Sequence, residues 1–153
     1  MRSRFLAVCG LLLGVTSLVF ATDFAVIVHP SNPVRAMSLA ELGKIFKGKS
    51  GSWPTGRNIT VVLREPNSPG MRFVIEKVMG TGAEEGKAML NESGKKSGLS
   101  VVFVVSDEEV VKAVEASPGA LGIVDVYNIT GGVKVIKIDD KQPFDPGYVL
   151  KGH

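Results

Sequence analysis

Arg64 and Ser68 are the residues whose types and spacing best suit chemistry. They flank a polar loop, Arg64-Glu65-Pro66-Asn67-Ser68-Pro69-Gly70, between an apolar run and a second periodic segment. Arginine offers a planar fork of donors that matches two oxygens of an oxyanion. A hydroxyl beside the free N–H groups of a helix start adds further donors. The amides of Gly70 and Met71 are expected to point into the same space, whereas Pro69 has no N–H to give. The chemistry implied is non-covalent capture of a small anion. A second reading stays open on residue types alone: Ser68 caps a helix, and Arg64 is a surface cation paired with Glu65 or another carboxylate.

Other constellations are weaker. Trp53-Pro54, followed by Gly56-Arg57, reads as a packing anchor in a turn more readily than as a ligand wall. Gly80 to Ala88 fails as a phosphate loop, because Thr81 and Ala88 stand where glycine and Ser/Thr are needed. His29 and His153 have no spaced carboxylates around them, so no metal or cofactor is expected. Asp107, Glu108 and Glu109 make an acidic helix start that the helix dipole alone explains. No Ser–His–Asp set, metal cluster or paired-carboxylate motif is visible, and the expectation is a protein that is not an enzyme.

The elements that must hold Arg64 and Ser68 follow from periodicity. Phe24 to His29 is an apolar run closed by Pro30 and Pro33, which suits a buried strand. Ser38 and Glu41 form a capping box, and Leu39, Leu42, Ile45 and Phe46 then share one helical face. Ile59 to Leu63 reads as a strand. Pro69 suits the first position of the helix carrying Phe73, Val74 and Val78. Thr81 to Gly98 reads as a short helix over about 83–91 and then an exposed loop. Composition suggests a strand over Val101 to Val105. A second capping box, Ser106 with Glu109, opens a helix closed by Pro118-Gly119. Leu121 to Val126 and Val133 to Ile138 read as two more strands around Gly131-Gly132, followed by a polar tail from Asp139. Strands alternating with helices imply an α/β fold with a mostly parallel sheet flanked by helices.

Residues 1–21 read as an export signal. Arg2 and Arg4 precede an apolar stretch from Phe5 to Phe20, and Val19-Phe20-Ala21 suits a cleavage site. Residues 22–153 then form one domain, large enough for a core of its own. Its formal charge falls from +3 for the whole chain to about +1, and no basic run is present, which argues against a nucleic-acid partner. The one cysteine, Cys9, leaves with the signal, so neither a disulfide nor a thiol nucleophile is expected. The implied location is periplasmic or secreted.

The segments FAVIVHPSNPV, SLAELGKIFKGKSGSWPTGRNITVVLRE, SPGMRF, SDEEVVKAVEASPGALGIVDV and VKVIKID together resemble phosphate-binding receptors of ABC transporters, in the type 2 periplasmic-binding-protein superfamily. The resemblance covers nearly all of residues 22–153. It implies a single lobe of a fold that ordinarily has two lobes closing on the ligand. It also implies a ligand site at Arg64, Ser68, Gly70 and Met71, because the family's loop carries arginine, three residues, then Ser-Gly-Thr. Here Pro69 and Gly70 replace that glycine and threonine, which removes one amide and one hydroxyl. The implied partner is phosphate or another small oxyanion, together with a membrane transporter, a sensor protein or a second copy of the chain. The alternative is an interaction module that keeps the fold and has lost its ligand.

Overall fold

Local signals start the elements, and burial of a few apolar faces completes them. The computed structural model describes Gly14 and residues 22–152; the expected signal segment, Cys9 and His153 lie outside the described residues. The strands are β1 (Phe24–Val28), β2 (Ala36–Met37), β3 (Thr60–Arg64), β4 (Ser100–Val104), β5 (Ala120–Asp125) and β6 (Lys134–Ile138). The helices are α1 (Leu39–Phe46), α2 (Met71–Met79), α3 (Ala83–Lys96) and α4 (Asp107–Ala116). Among the described residues, no helix is long and apolar enough to cross a membrane.

All six strands form one sheet in the order β2-β6-β1-β5-β3-β4. The pairs β2–β6, β3–β4 and β3–β5 are parallel, and only β1 runs against its neighbours β5 and β6. The α/β expectation of a mostly parallel sheet with flanking helices therefore holds. Helices α1, α2 and α3 pack over one face, around Phe24, Leu42, Phe46, Leu63, Ile75 and Leu90. Helix α4 covers the other face through Val110, Val111 and Val114 against Ile27, Val62 and Val124. Continuous apolar runs such as Phe24–Val28, buried at every position, are what a sheet covered on both faces requires.

Capping matches the sequence closely at α1 and in half at α4. At α1 the Ser38 hydroxyl accepts from the Glu41 amide at 3.0 Å, and the Glu41 carboxylate accepts from the Ser38 amide at 2.7 Å. At α4 the Ser106 hydroxyl accepts from the Glu109 amide, but the Glu109 carboxylate turns to the Val105 amide instead. Trp53 is a packing anchor: it is buried, and its indole N–H donates to the Gly119 carbonyl at 2.9 Å.

Three expectations need correction. Helix α3 does not stop near Asn91 but continues to Lys96. Buried Leu90 and Ser93 extend its packed face, and the Ser93 hydroxyl donates to the carbonyl of Phe46. Pro69 is not the first residue of α2, which starts at Met71 after Gly70. The tail after Asp139 is not simply a polar extension, because Tyr148 and Leu150 are buried and the Tyr148 hydroxyl donates to the Phe24 carbonyl at 2.7 Å. The two-residue strand β2 is too short to show a period. Strand β4, in contrast, forms where composition alone suggested it.

Two of these contacts yield tests. Gly70 has φ 82°, and a Cβ there would stand 2.6 Å from the Phe24 ring. Gly70→Ala should therefore cost about 1–3 kcal/mol in urea unfolding, and a loss below about 0.5 kcal/mol would contradict the clash. Burial, and then the Asp23 charge, push the Tyr148 phenol well above its usual range. A raised folded-state value leaves stability intact below the unfolded value of about 10 and removes it as pH rises further. Tyr148 is the only tyrosine left after Tyr127→Phe. In that variant, phenolate absorbance should appear only together with unfolding; its appearance in the folded protein would refute the assignment.

Candidate functional site

Strand β3 delivers Arg64 to the C-terminal end of the parallel part of the sheet. Helix α4 begins at the same end, and its first residue, Asp107, is 6% exposed at the side chain. Arg64 Nε lies 2.7 Å from Asp107 Oδ1. The contact is a close charge pair and not a straight hydrogen bond. The second oxygen, Asp107 Oδ2, accepts from the Asp125 amide at 3.1 Å and from the Asn128 side-chain amide at 2.9 Å. Asp125 ends β5, and Asn128 lies in the 3-10 turn Val126–Asn128 that follows it. One carboxylate thus joins the ends of β3, α4 and β5.

The Asp107 contact is to Nε, on one side of the guanidinium. The Nη groups have no hydrogen-bond partner among the described residues. Arg64 is 17% exposed, enough for those groups to reach a ligand from outside. A buried carboxylate that fixes one side of the fork makes the other a pre-oriented donor pair. The sequence pointed to Glu65 or an unspecified carboxylate as the partner and read Asp107 only as a dipole charge. The structure pairs Arg64 with Asp107 and pairs Glu65 with Lys87 at 2.7 Å.

The rest of the loop folds on itself. The Ser68 hydroxyl donates to the Glu65 carbonyl at 2.6 Å, so it is not the side-chain cap of α2. The Met71 amide donates to the Ser68 carbonyl at 3.1 Å, and the Met71 side chain is buried. The Gly70 amide has no hydrogen-bond partner among the described residues. Gly70 has no Cβ, and this allows the loop to lie over the Phe24 ring. The structure therefore brings Arg64, Ser68, Gly70 and Met71 into one short loop. In this arrangement the Arg64 Nη groups and the Gly70 amide are available as donors, while those of Ser68 and Met71 are engaged.

Outside this loop the chemistry-bearing residues stay apart. His29 hydrogen-bonds with Ser31 at 2.7 Å in an exposed turn. Among the described residues, no group of three or more His, Cys, Asp or Glu is placed to hold a metal ion.

A model of the PBP superfamily domain matches residues 13–143. No individually curated protein matches the chain. Among solved structures, a phosphate ABC transporter substrate-binding protein from Clostridium perfringens, with bound phosphate, is 25% identical at a TM-score of 0.62. That match covers 80% of this chain and 47% of the other. An ABC-type phosphate transport receptor from Vibrio cholerae gives 22% identity and a TM-score of 0.68, over 86% of this chain and 54% of the receptor. PstS from Borrelia burgdorferi gives 15% and 0.68, over 87% and 55%. The latter two show the shared fold. The chain spans about half the length of these proteins. With the family model matching most of its residues, the chain belongs to the PBP superfamily domain family.

Proposed function

We propose that this protein is an exported, non-catalytic binder of phosphate or a similar small oxyanion, of the substrate-binding type found in ABC transport. The observation that carries the reading is the Arg64 guanidinium, held at Nε by buried Asp107 with its Nη groups unpaired among the described residues. The Gly70 amide supplies a second donor at the start of α2. Ser68 joins only by rotating its hydroxyl away from the Glu65 carbonyl, and Met71 only by releasing the Ser68 carbonyl. The 25%-identical structure with bound phosphate supports this ligand class. Each charge-assisted hydrogen bond contributes about 1.5–3 kcal/mol, so two donors on an open face imply affinity near the millimolar range. A membrane transporter, a sensor or a second copy is the partner class such a role implies, and a periplasmic or secreted location is the setting.

The engaged donors of Ser68 and Met71 favour one other reading, an exported interaction module that keeps the fold without a ligand. The same experiment separates the two. Arg64→Ala by itself strands Asp107 as a buried charge and should cost about 3–5 kcal/mol of stability. Arg64→Met combined with Asp107→Asn removes both charges and should stay folded. Calorimetric titration with phosphate and sulfate should show millimolar-range binding by the wild type and at least about tenfold weaker binding by the double variant, matching the loss of one charged contact. Absence of binding at about 10 mM, or equal binding by both proteins, overturns the oxyanion reading in favour of the module.

A further inference from the structure

A second group of cations gathers at the other side of the sheet. Strand β2 is the outermost strand and β6 its neighbour, whereas β3 lies fifth in the order. Strands β3 and β6 run the same way, so Lys134, which opens β6, lies at the end of the sheet opposite Arg64. Arg35 precedes β2, and its carbonyl accepts from the Lys137 amide at 3.0 Å. Arg35, Lys134, Lys137 and Gln142 line an open concavity of about 450 Å³. Asp140 lines it as well, but it forms no salt bridge with any of the three cations among the described residues.

The donors here outnumber the acceptors. Lys134 is half-buried, and its ammonium reaches the Asn32 carbonyl. Burial, and then the charge of Arg35, hold that ammonium below the usual lysine range. It is the backbone carbonyl of buried Asn32 that stands beside Lys134, and the Nδ2 of the Asn32 side chain has no acceptor among the described residues. Three cations against the one lining carboxylate, Asp140, leave the hollow net positive, which favours an anion among them. Arginine provides a two-point fork, the lysines provide point charges and Gln142 provides a neutral donor, a set suited to a multiply charged oxyanion. Val135, 37% exposed, adds an apolar contact to the lining.

We infer that the concavity between Arg35, Lys134 and Lys137 is a second anion site, independent of Arg64, that takes a phosphate group. That phosphate is either free in solution or carried on a lipid headgroup. The shared chemistry is the same, and the two sources separate by experiment.

Inorganic phosphate is titrated at low ionic strength into nitrogen-15-labelled protein, alongside sedimentation with vesicles of phosphatidylcholine and phosphatidylglycerol. The proteins compared are the wild type, the Arg64→Met/Asp107→Asn variant and an Arg35→Glu/Lys137→Glu variant. With free phosphate as ligand, amides of residues 134–137 shift in the first two proteins, and the apparent affinity falls at least about tenfold in the third. With a headgroup as ligand, free phosphate leaves those amides unmoved, and vesicle binding, sensitive to salt, falls at least about tenfold in the third protein alone. Amide spectra of the third protein verify that it is folded. Failure of both ligands to act on the wild type through Arg35 and Lys137 overturns the site, whatever the result at Arg64.

Discussion

The ion pair between Arg64 and Asp107 is the constraint on which this end of the molecule depends. Asp107 is nearly buried, and a buried carboxylate is costly unless every lone pair finds a donor. Here Oδ2 accepts from the Asp125 amide and the Asn128 side chain, while Oδ1 has the Arg64 charge beside it. These groups come from the ends of β3 and β5 and from the turn after β5. Removing any of them leaves charge without compensation where three elements converge. Such a pair adds little net stability compared with a well-packed apolar alternative. What it provides is geometry: the guanidinium is fixed on one side and open on the other.

That geometry shapes the proposed binding face. The loop after Arg64 turns tightly because Gly70 adopts a left-handed conformation and leaves room for the Phe24 ring. The turn places the Gly70 amide near the start of α2 and folds the Ser68 hydroxyl back onto Glu65. The result is a small donor set on the surface of one unit, which matches about half the length of the phosphate-binding proteins it resembles in fold. An open face leaves more of a ligand in water than an enclosed cleft does, which limits affinity even where the contacts are good. A partner that covers the face would change that balance without altering any residue of the loop.

Much of the fold was legible from local pattern. Ser38 with Glu41 announced α1 because both halves of a capping box lie within one turn of sequence. Apolar runs marked β1, β3, β5 and β6 because a sheet covered on both faces needs them. The extent of α3 was not legible, since Ser93 is polar and its burial depends on the distant Phe46 carbonyl. At the site, Arg64 and the loop stood out by residue type, but the role of Asp107 did not. Its charge looked sufficient for a helix start, and only the approach of β3 to α4 shows that it is buried. The need for glycine at position 70 was not legible, because the Phe24 ring that leaves no room for a Cβ comes from the first strand.

The Arg64 Nη groups, held by Asp107, are the proposed primary contact for an oxyanion. Nitrogen-15 NMR of the arginine side chains during phosphate titration tests it most directly. The Arg64 Nη signals should shift in step with binding while Nε–H, beside Asp107, changes little. Arg64 signals that stay unmoved while phosphate binds, or at saturating millimolar phosphate, would contradict it.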